Sequence, residues 1–188
     1  MIVERRELPG VSFIKRLLEQ MFFGQYRHTL DSKDRLTIPA RFRHLVGDSV
    51  YVSQGFDHNL LVFTRPYFEN LLQTVDESDL ADADARLIRR FFFSTAELVD
   101  VDKAGRILIP AFLRDSVGLK GEVVLVGAGQ YFEIWSPELW DVQSARIKDI
   151  GNNVKHFPVL KFRREALQQP VAAGVIIAQQ SNESRSDE

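Results

Sequence analysis

The chain has 188 residues, of which 45% are apolar and 27% are charged, and it contains no cysteine. This composition is typical of a globular protein, and the length allows one or two compact domains with a hydrophobic core. The lack of cysteine excludes disulfides, thiolate metal sites and cysteine nucleophiles. The net charge of −2 neither favours nor opposes a polyanionic partner.

The N-terminal part of the chain divides into an extension and a first folded unit. Residues 1–24 are predicted to form an extension outside the fold, and residues 25–67 form the unit. In its turn, Asp31 can accept hydrogen bonds from backbone amides that follow it, and Asp34 tolerates a positive φ. The predicted elements are a strand at 25–30, a turn at 31–34, a strand at 35–38, a short helix from Pro39 to Gly47 and a hairpin of strands 50–54 and 60–64.

Residues 68–95 are predicted to be a helical linker. Asp79 is the expected N-cap, and acidic residues fill the first turn of the helix. The cluster Phe91–Phe93 lies on its apolar face. One small protomer cannot easily bury aromatic side chains of this size, so the cluster favours association between chains.

The second unit, residues 96–139, repeats the first. The segment from Asp31 to Arg43 reappears from Asp102 to Arg114, an offset of 71 residues at which Asp, Arg, Ile, Pro, Ala and the closing Arg keep register. Two copies of one supersecondary unit predict an internal pseudo-twofold and a surface that occurs twice. Its predicted elements are a strand at 97–101, a turn at 102–105, a strand at 106–109, a short helix from Pro110 to Gly118 and a hairpin of strands 122–126 and 131–135.

The C-terminal part of the chain begins with Ser136-Pro137, which is typical of an N-cap followed by a first-turn proline. A helix is predicted from there to about Ile150, and residues 140–169 are assigned to a C-terminal helical region. Residues 170–188 are predicted to be a disordered tail, because they end in an entirely polar stretch. The chain has no apolar run long enough to span a bilayer and no signal-peptide pattern, so we predict a cytoplasmic protein.

The doubled motif resembles the MraZ family of bacterial transcriptional regulators. Each copy has Asp-x-x-x-Arg followed by Ile-Pro and a short basic helix, and the segment from Met21 to Arg35 is similar to the start of such proteins. The resemblance extends from Met21 to about Arg146. Asp34 departs from it, since the family usually has glycine at this position, as the second copy does at Gly105.

The resemblance implies an α+β fold of two tandem swapped-hairpin units of the AbrB/SpoVT/MazE group, in pseudo-twofold arrangement with helices packed outside. It implies a nucleoid-associated ring of chains that binds tandem repeats in double-stranded promoter DNA. The usual effect is repression of the family's own cell-division and cell-wall gene cluster. The alternative is an AbrB-like antitoxin or an assembly module without a DNA target of this kind.

Two interpretations apply to each Asp-x-x-x-Arg turn. In the first, Arg35 and Arg106 face DNA, because a guanidinium can grip a guanine edge or a phosphate through two hydrogen bonds. In the second, the pairs Asp31–Arg35 and Asp102–Arg106 are structural ion pairs that fix the turns. We favour the structural role for both aspartates and expect both roles for the arginines, with a packed stem and an exposed head.

Further basic side chains are expected to position the protein on phosphates without reading sequence. These are Lys33, Lys103, Arg27, Arg41 and Arg43. A solvated helix face is the alternative for Arg41 and Arg43.

Nothing in the sequence indicates catalysis. It contains no Gly-rich phosphate loop, nucleophile elbow, zinc signature or dinucleotide fingerprint. The 4 histidines have no metal-ligand spacing. We therefore predict no enzyme activity, no metal site and no cofactor.

Overall fold

A computed structural model describes the backbone of residues 18–150 and the side chains of residues 18–148. The predictions for residues 1–17 and for residues 151–188 lie outside the described residues. The described elements, in chain order, are β1 (Gln25–Thr29), β2 (Arg35–Thr37), α1 (Ala40–Val46), β3 (Ser49–Gln54), β4 (Leu60–Thr64), α2 (Arg65–Asp76), α3 (Ala83–Thr95), β5 (Glu97–Asp100), β6 (Arg106–Leu108), α4 (Ala111–Ser116), β7 (Glu122–Gly127), β8 (Tyr131–Trp135) and α5 (Pro137–Ile150).

The linker differs from its prediction. It contains two helices, and α2 was not predicted as a separate helix, although Pro66 lies in its first turn, where proline is common. Asp79 was wrongly expected to cap the second helix. Its carboxylate accepts a hydrogen bond from Ala81 N in a turn, whereas Asp82 accepts from Asp84 N and is the N-cap of α3.

The main sheet is antiparallel and has six strands in the order β1-β7-β8-β4-β3-β5. The first strand of each unit pairs in the hairpin of the other unit: β1 with β7, and β5 with β3. In both exchanges the last residue of the first strand lies opposite the first residue of its partner strand, Thr29 opposite Glu122 and Asp100 opposite Ser49. Strands β2 and β6 pair separately as a two-stranded ribbon. The predicted α+β fold of two swapped-hairpin units is confirmed.

The main hydrophobic core lies between one face of the six-stranded sheet and the ribbon. The ribbon strands and the residues directly after them bury Leu36, Ile38, Ile107 and Ile109, all at most 1% exposed. Phe22 also belongs to this core at 1% exposed, and it forms a bridge to Gly129. The fold therefore begins before residue 24, where the sequence analysis ended the extension.

Helices cover the other face of the sheet. Helices α2 and α3 pack on β3 and β4 through a cluster that includes Phe68 and Phe92, and α5 packs on β7 and β8 through Trp140 and Trp135. Phe92 is only 7% exposed, so the protomer buries this member of the phenylalanine cluster by itself. Phe93 remains 53% exposed, and Phe91 stacks on Phe56 at 4.7 Å between ring centroids.

Candidate nucleic-acid interface

The two Asp-x-x-x-Arg turns share one hydrogen-bond arrangement. Asp31 Oδ1 accepts from the backbone N–H groups of Lys33 (2.9 Å) and Arg35 (3.0 Å), and Asp31 Oδ2 accepts from Arg35 Nε (2.8 Å) and Nη2 (2.7 Å). In the second turn, Asp102 bonds Arg106 N at 2.9 Å, Nε at 2.8 Å and Nη2 at 2.7 Å. Each aspartate therefore shapes its turn and orients the arginine that follows it.

The last position of each turn adopts the left-handed conformation that the sequence predicts. Asp34 has a φ of 59° and Gly105 has a φ of 75°. Their backbone N–H groups close the turns by donating to Asp31 O (2.9 Å) and Asp102 O (2.8 Å). Aspartate is one of the few residues other than glycine that reaches this region at modest cost, so the two turns keep the same backbone shape.

Ion pairing favours the charged form of both turn carboxylates. Hydrogen bonds from Arg35 hold the pKa of Asp31 at about 2, below its ordinary value of 3.8. The same bonds from Arg106 lower the pKa of Asp102, and Asp102 in turn raises the pKa of Arg106. Each aspartate thus offsets the charge of its arginine, which leaves the two turn lysines as the uncompensated cations of these turns.

The ribbon places the two turns side by side. In its register, Arg35 lies opposite Leu108 and Arg106 lies opposite Thr37. Arg106 Nη1 comes within 3.8 Å of Asp31 Oδ2 in the other turn. Both arginine side chains are about one-third exposed, at 32% and 31%, as expected for a packed stem with a head in solvent. Two guanidinium groups therefore share one exposed face.

Comparison with known proteins identifies the family of the chain. The family model described as "MraZ protein, putative antitoxin-like" matches residues 21–91 and again residues 92–156. The chain belongs to the MraZ family. The chain is 40% identical to the transcriptional regulator MraZ of Ligilactobacillus salivarius over 141 residues, which cover 73% of this chain and 99% of that protein.

Two other relatives with the same name give similar values. The transcriptional regulator MraZ of Desulforamulus reducens is 44% identical over 126 residues, which cover 67% of this chain and 89% of that protein. The one from Heliobacterium modesticaldum is 43% identical over 120 residues, which cover 64% of this chain and 84% of that protein. The two matches to the MraZ model meet inside α3, so each of them takes one copy of the repeat.

Each short helix of the MraZ fold reaches across to the turn of the other unit. Arg114 of α4 pairs with the Asp34 carboxylate, and the Arg114 side chain is only 17% exposed. The equivalent residue of α1, Arg43, donates from Nε to Ile38 O (2.9 Å) and packs over Gly105. The two sides differ in charge, because Gly105 offers Arg43 no carboxylate. The charge of Arg114 is therefore compensated by Asp34 within the protein, whereas Arg43 has no ion pair among the described residues.

Two other predicted site residues occupy different environments. Arg41 is exposed on α1, in the same helix as Arg43. Arg27 on β1 donates to Glu122 (3.2 Å) and Asp141 (3.3 Å). No hydrogen bond joins Arg27 to either turn within residues 18–148, so the structure does not bring Arg27 together with the turn arginines.

Two uncharged residues on the ribbon face were not predicted to belong to the site. Thr37 and Leu108 alternate with buried Leu36 and Ile107, and Leu108 is 55% exposed. Strand alternation could have placed both of them beside Arg35 and Arg106. Exposed apolar side chains on this face could contact the methyl group of thymine.

Two further kinds of feature do not occur among the described residues. Among them, no group of three or more histidine, aspartate or glutamate side chains is arranged to hold a metal ion. No helix in this part of the chain combines the length and the apolar character needed to cross a membrane.

Proposed function

We propose that this chain is a sequence-specific DNA-binding transcriptional regulator whose contact surface is the ribbon with its two turns. The observation that carries the proposal is the pairing of Arg35 and Arg106 on one exposed ribbon face. The names of the relatives, which are transcriptional regulators, support it. A two-stranded ribbon is narrow enough for the major groove of B-DNA.

The residues divide into reading and positioning groups in this proposal. Arg35 and Arg106 contact base edges, since their orientation by Asp31 and Asp102 leaves part of each guanidinium in solvent. Exposed cations around them contact phosphates and fix the position of the protein on the duplex. These are Lys33, Lys103, Arg41 and Arg43, with Arg27 retained as a more distant candidate.

We further propose that chains assemble into a ring that binds tandem promoter repeats. The few uncompensated cations of one protomer would bind DNA weakly, whereas several linked contacts bind tightly because each further contact is intramolecular. Exposed apolar side chains on α3 and α5 supply two different surfaces that could meet head to tail, the kind of contact that closes a ring. They are Leu87, Ile88 and Phe93 on α3 and Leu139, Val142 and Ile147 on α5.

The proposed site of action is the promoter of the chain's own gene cluster, in the cytoplasm and associated with the nucleoid, with repression as the outcome. Fluorescence anisotropy with a labelled duplex from upstream of that gene tests the proposal. We expect Arg35→Ala to weaken specific binding by about 1–3 kcal/mol. Because the Arg35 side chain is partly exposed, the Arg35→Ala variant should lose far less melting temperature than a variant with a truncated core side chain.

A shuffled duplex of the same composition is the control. Equal affinity of the wild-type protein for both duplexes would contradict sequence-specific binding. Normal DNA binding by Arg35→Ala together with much earlier melting would show that this arginine is purely structural.

The ring is tested separately by sedimentation of the wild-type protein and of Leu87→Asp. Leu87 is 64% exposed, so a charge there should leave the protomer folded but break an apolar contact between chains. Thr74→Asp, which adds the same charge on the exposed part of α2, is the matched control. A monomeric wild-type protein that binds DNA tightly would contradict the role of avidity.

The second candidate function is that of an antitoxin-like module, which the description of the matched family favours. Salt dependence distinguishes the two functions. DNA binding through phosphates weakens steeply with added salt because counterions are released on binding. A stable complex with a protein toxin, without DNA binding at any salt concentration, would favour the antitoxin.

A further inference from the structure

A cavity of about 200 Å³ opens on the helix-covered face of the six-stranded sheet. The ribbon lies on the other face: on β4, Leu60 and Val62 point to the main core, while Leu61 and Phe63 point to this side. The cavity is therefore separate from the proposed DNA surface. Aromatic side chains from five elements and loops form much of its lining, namely Phe56, Phe63, Tyr67, Phe92 and Tyr131.

The charged groups of the cavity are both acidic. Glu133 on β8 and Asp57 in the β3–β4 loop line it, and neither makes an ion pair with any of the described residues. No lysine, arginine or histidine from the described part of the chain lines it. One Glu133 oxygen, Oε2, accepts a hydrogen bond from Trp135 Nε1 (2.8 Å), which fixes the carboxyl group in place.

The protein leaves this acidic pair without a counter-charge. Burial raises the pKa of Glu133, and the nearby Asp57 carboxylate raises it further against the opposing effect of the Trp135 hydrogen bond. Burial also raises the pKa of Tyr131, with Glu133, Tyr67 and Asp57 adding to the shift. A positive charge in the cavity would relieve the repulsion between the two carboxylates.

We propose that this cavity, which we call the aromatic pocket, binds a guanidinium group. The volume is below the roughly 300–1,000 Å³ of pockets for drug-sized ligands, so it suits a group the size of one side chain. A guanidinium is planar and weakly hydrated, and it can stack on aromatic rings while donating two hydrogen bonds to a carboxylate. Glu133 supplies that carboxylate, and Phe63 and Tyr67, whose rings lie 5.9 Å apart, supply aromatic surface.

Nuclear magnetic resonance offers a local measurement of this binding. The chain has 2 tryptophans, so its spectrum contains two indole N–H signals. Trp135 donates to Glu133, whereas Trp140 donates to Gln25 Oε1 at 3.2 Å. Titration of the full chain with methylguanidinium should shift the Trp135 signal in a saturable way. The Trp140 signal should move less.

Two controls separate charge recognition from general apolar binding. Methylurea has nearly the same shape as methylguanidinium but no charge, and it should bind at least about tenfold more weakly. Glu133→Gln should also weaken methylguanidinium binding at least about tenfold. The glutamine oxygen can still accept the hydrogen bond from Trp135 Nε1, but the side chain no longer carries a negative charge. Glu138→Gln, at an exposed acid on α5, should bind methylguanidinium like the wild type.

Sedimentation with and without methylguanidinium identifies the source of the natural guanidinium. Dissociation of an assembly by the free probe would assign the pocket to an arginine of another copy of the chain. An unchanged assembly would assign it to a small molecule. The proposal is overturned if the Trp135 signal does not move, if methylurea binds as well as methylguanidinium, or if folded Glu133→Gln binds like the wild type.

Discussion

The ion pair between Arg114 and Asp34 leads to a prediction that is opposite to the usual effect of removing a salt bridge. Asp34→Asn keeps the size of the side chain and the positive φ of 59°, because asparagine also tolerates this conformation. It removes the carboxylate that compensates Arg114. We therefore expect the variant to bind DNA more tightly than the wild type, since one more cation beside the turn becomes available to phosphates.

The magnitude follows from the position of the pair. One unit charge about 4 Å from a phosphate contributes about 1 kcal/mol in water, so affinity should rise about fivefold at low salt. The slope of log affinity against log salt should become steeper by about 0.9, the value for one added phosphate contact. Asp34 is 51% exposed, but Arg114 is only 17% exposed, so the loss of a charged partner should lower the free energy of unfolding by about 1–2 kcal/mol.

The assay is fluorescence anisotropy at several salt concentrations, with thermal unfolding measured in parallel. Glu138→Gln changes the net charge by the same amount on α5, away from the turns, and serves as the control. Equal effects of the two variants on the salt slope would refute the local role of Asp34. Weaker DNA binding by a folded Asp34→Asn would show instead that the ion pair is needed to hold the turn in its binding shape.

Three further predictions concern the turns. The pKa of Asp31 is about 2 in the folded protein against an ordinary value of 3.8, so the unfolded state binds the proton more tightly. The stability that this group contributes is complete above about pH 4 and is lost as the pH falls towards 2. Asp31→Asn should therefore flatten the dependence of the melting temperature on pH in this window. Gly105→Ala should lower the melting temperature more than Gly118→Ala. Both glycines have positive φ, but a Cβ at Gly105 would lie 2.7 Å from Arg43 Nε, whereas a Cβ at Gly118 would meet nothing within 4 Å. Equal losses of melting temperature would show that Arg43 moves aside freely. Arg106→Lys keeps the positive charge but loses the planar guanidinium that can donate two parallel hydrogen bonds. Anisotropy should therefore show weaker binding to the promoter duplex and little change for the shuffled duplex. Equal weakening on both duplexes would show that Arg106 contacts phosphates instead of bases.

The local elements could be predicted because their signals are short-range. The Asp-x-x-x-Arg turns and the short helices that begin after Pro39 and Pro110 depend on residues within a few positions of one another. Several strands end one residue earlier than predicted, because the alternation of buried and exposed side chains continues past the end of the strand. The predicted strand 35–38, for example, ends at Thr37, and Ile38 after it is buried. Helix α2 was not predicted as a separate helix because a proline such as Pro66 is compatible both with a turn of the chain and with the first turn of a helix, and only the packing of Phe68 decides between them.

The site as a whole could be predicted only in part. The repeat identified Arg35 and Arg106, but their proximity depends on the pairing of β2 with β6, which lie about 70 residues apart in the chain. The crossing of Arg114 to Asp34 depends on the same long-range arrangement. The aromatic pocket has no sequence signature at all, since Asp57 and Glu133 are brought together only by the pairing of β4 with β8.

The exchange of first strands between the units has a consequence for synthesis of the protein. Strand β1 pairs with β7, and Gln25 lies opposite Val126. The backbone groups of β1 therefore cannot form these hydrogen bonds until β7 has left the ribosome. Contacts of such large sequence separation slow folding, and a waiting strand edge is open to wrong partners in other nascent chains. We expect a half-synthesised chain to depend on chaperones until the second hairpin has been made, although the completed fold is small.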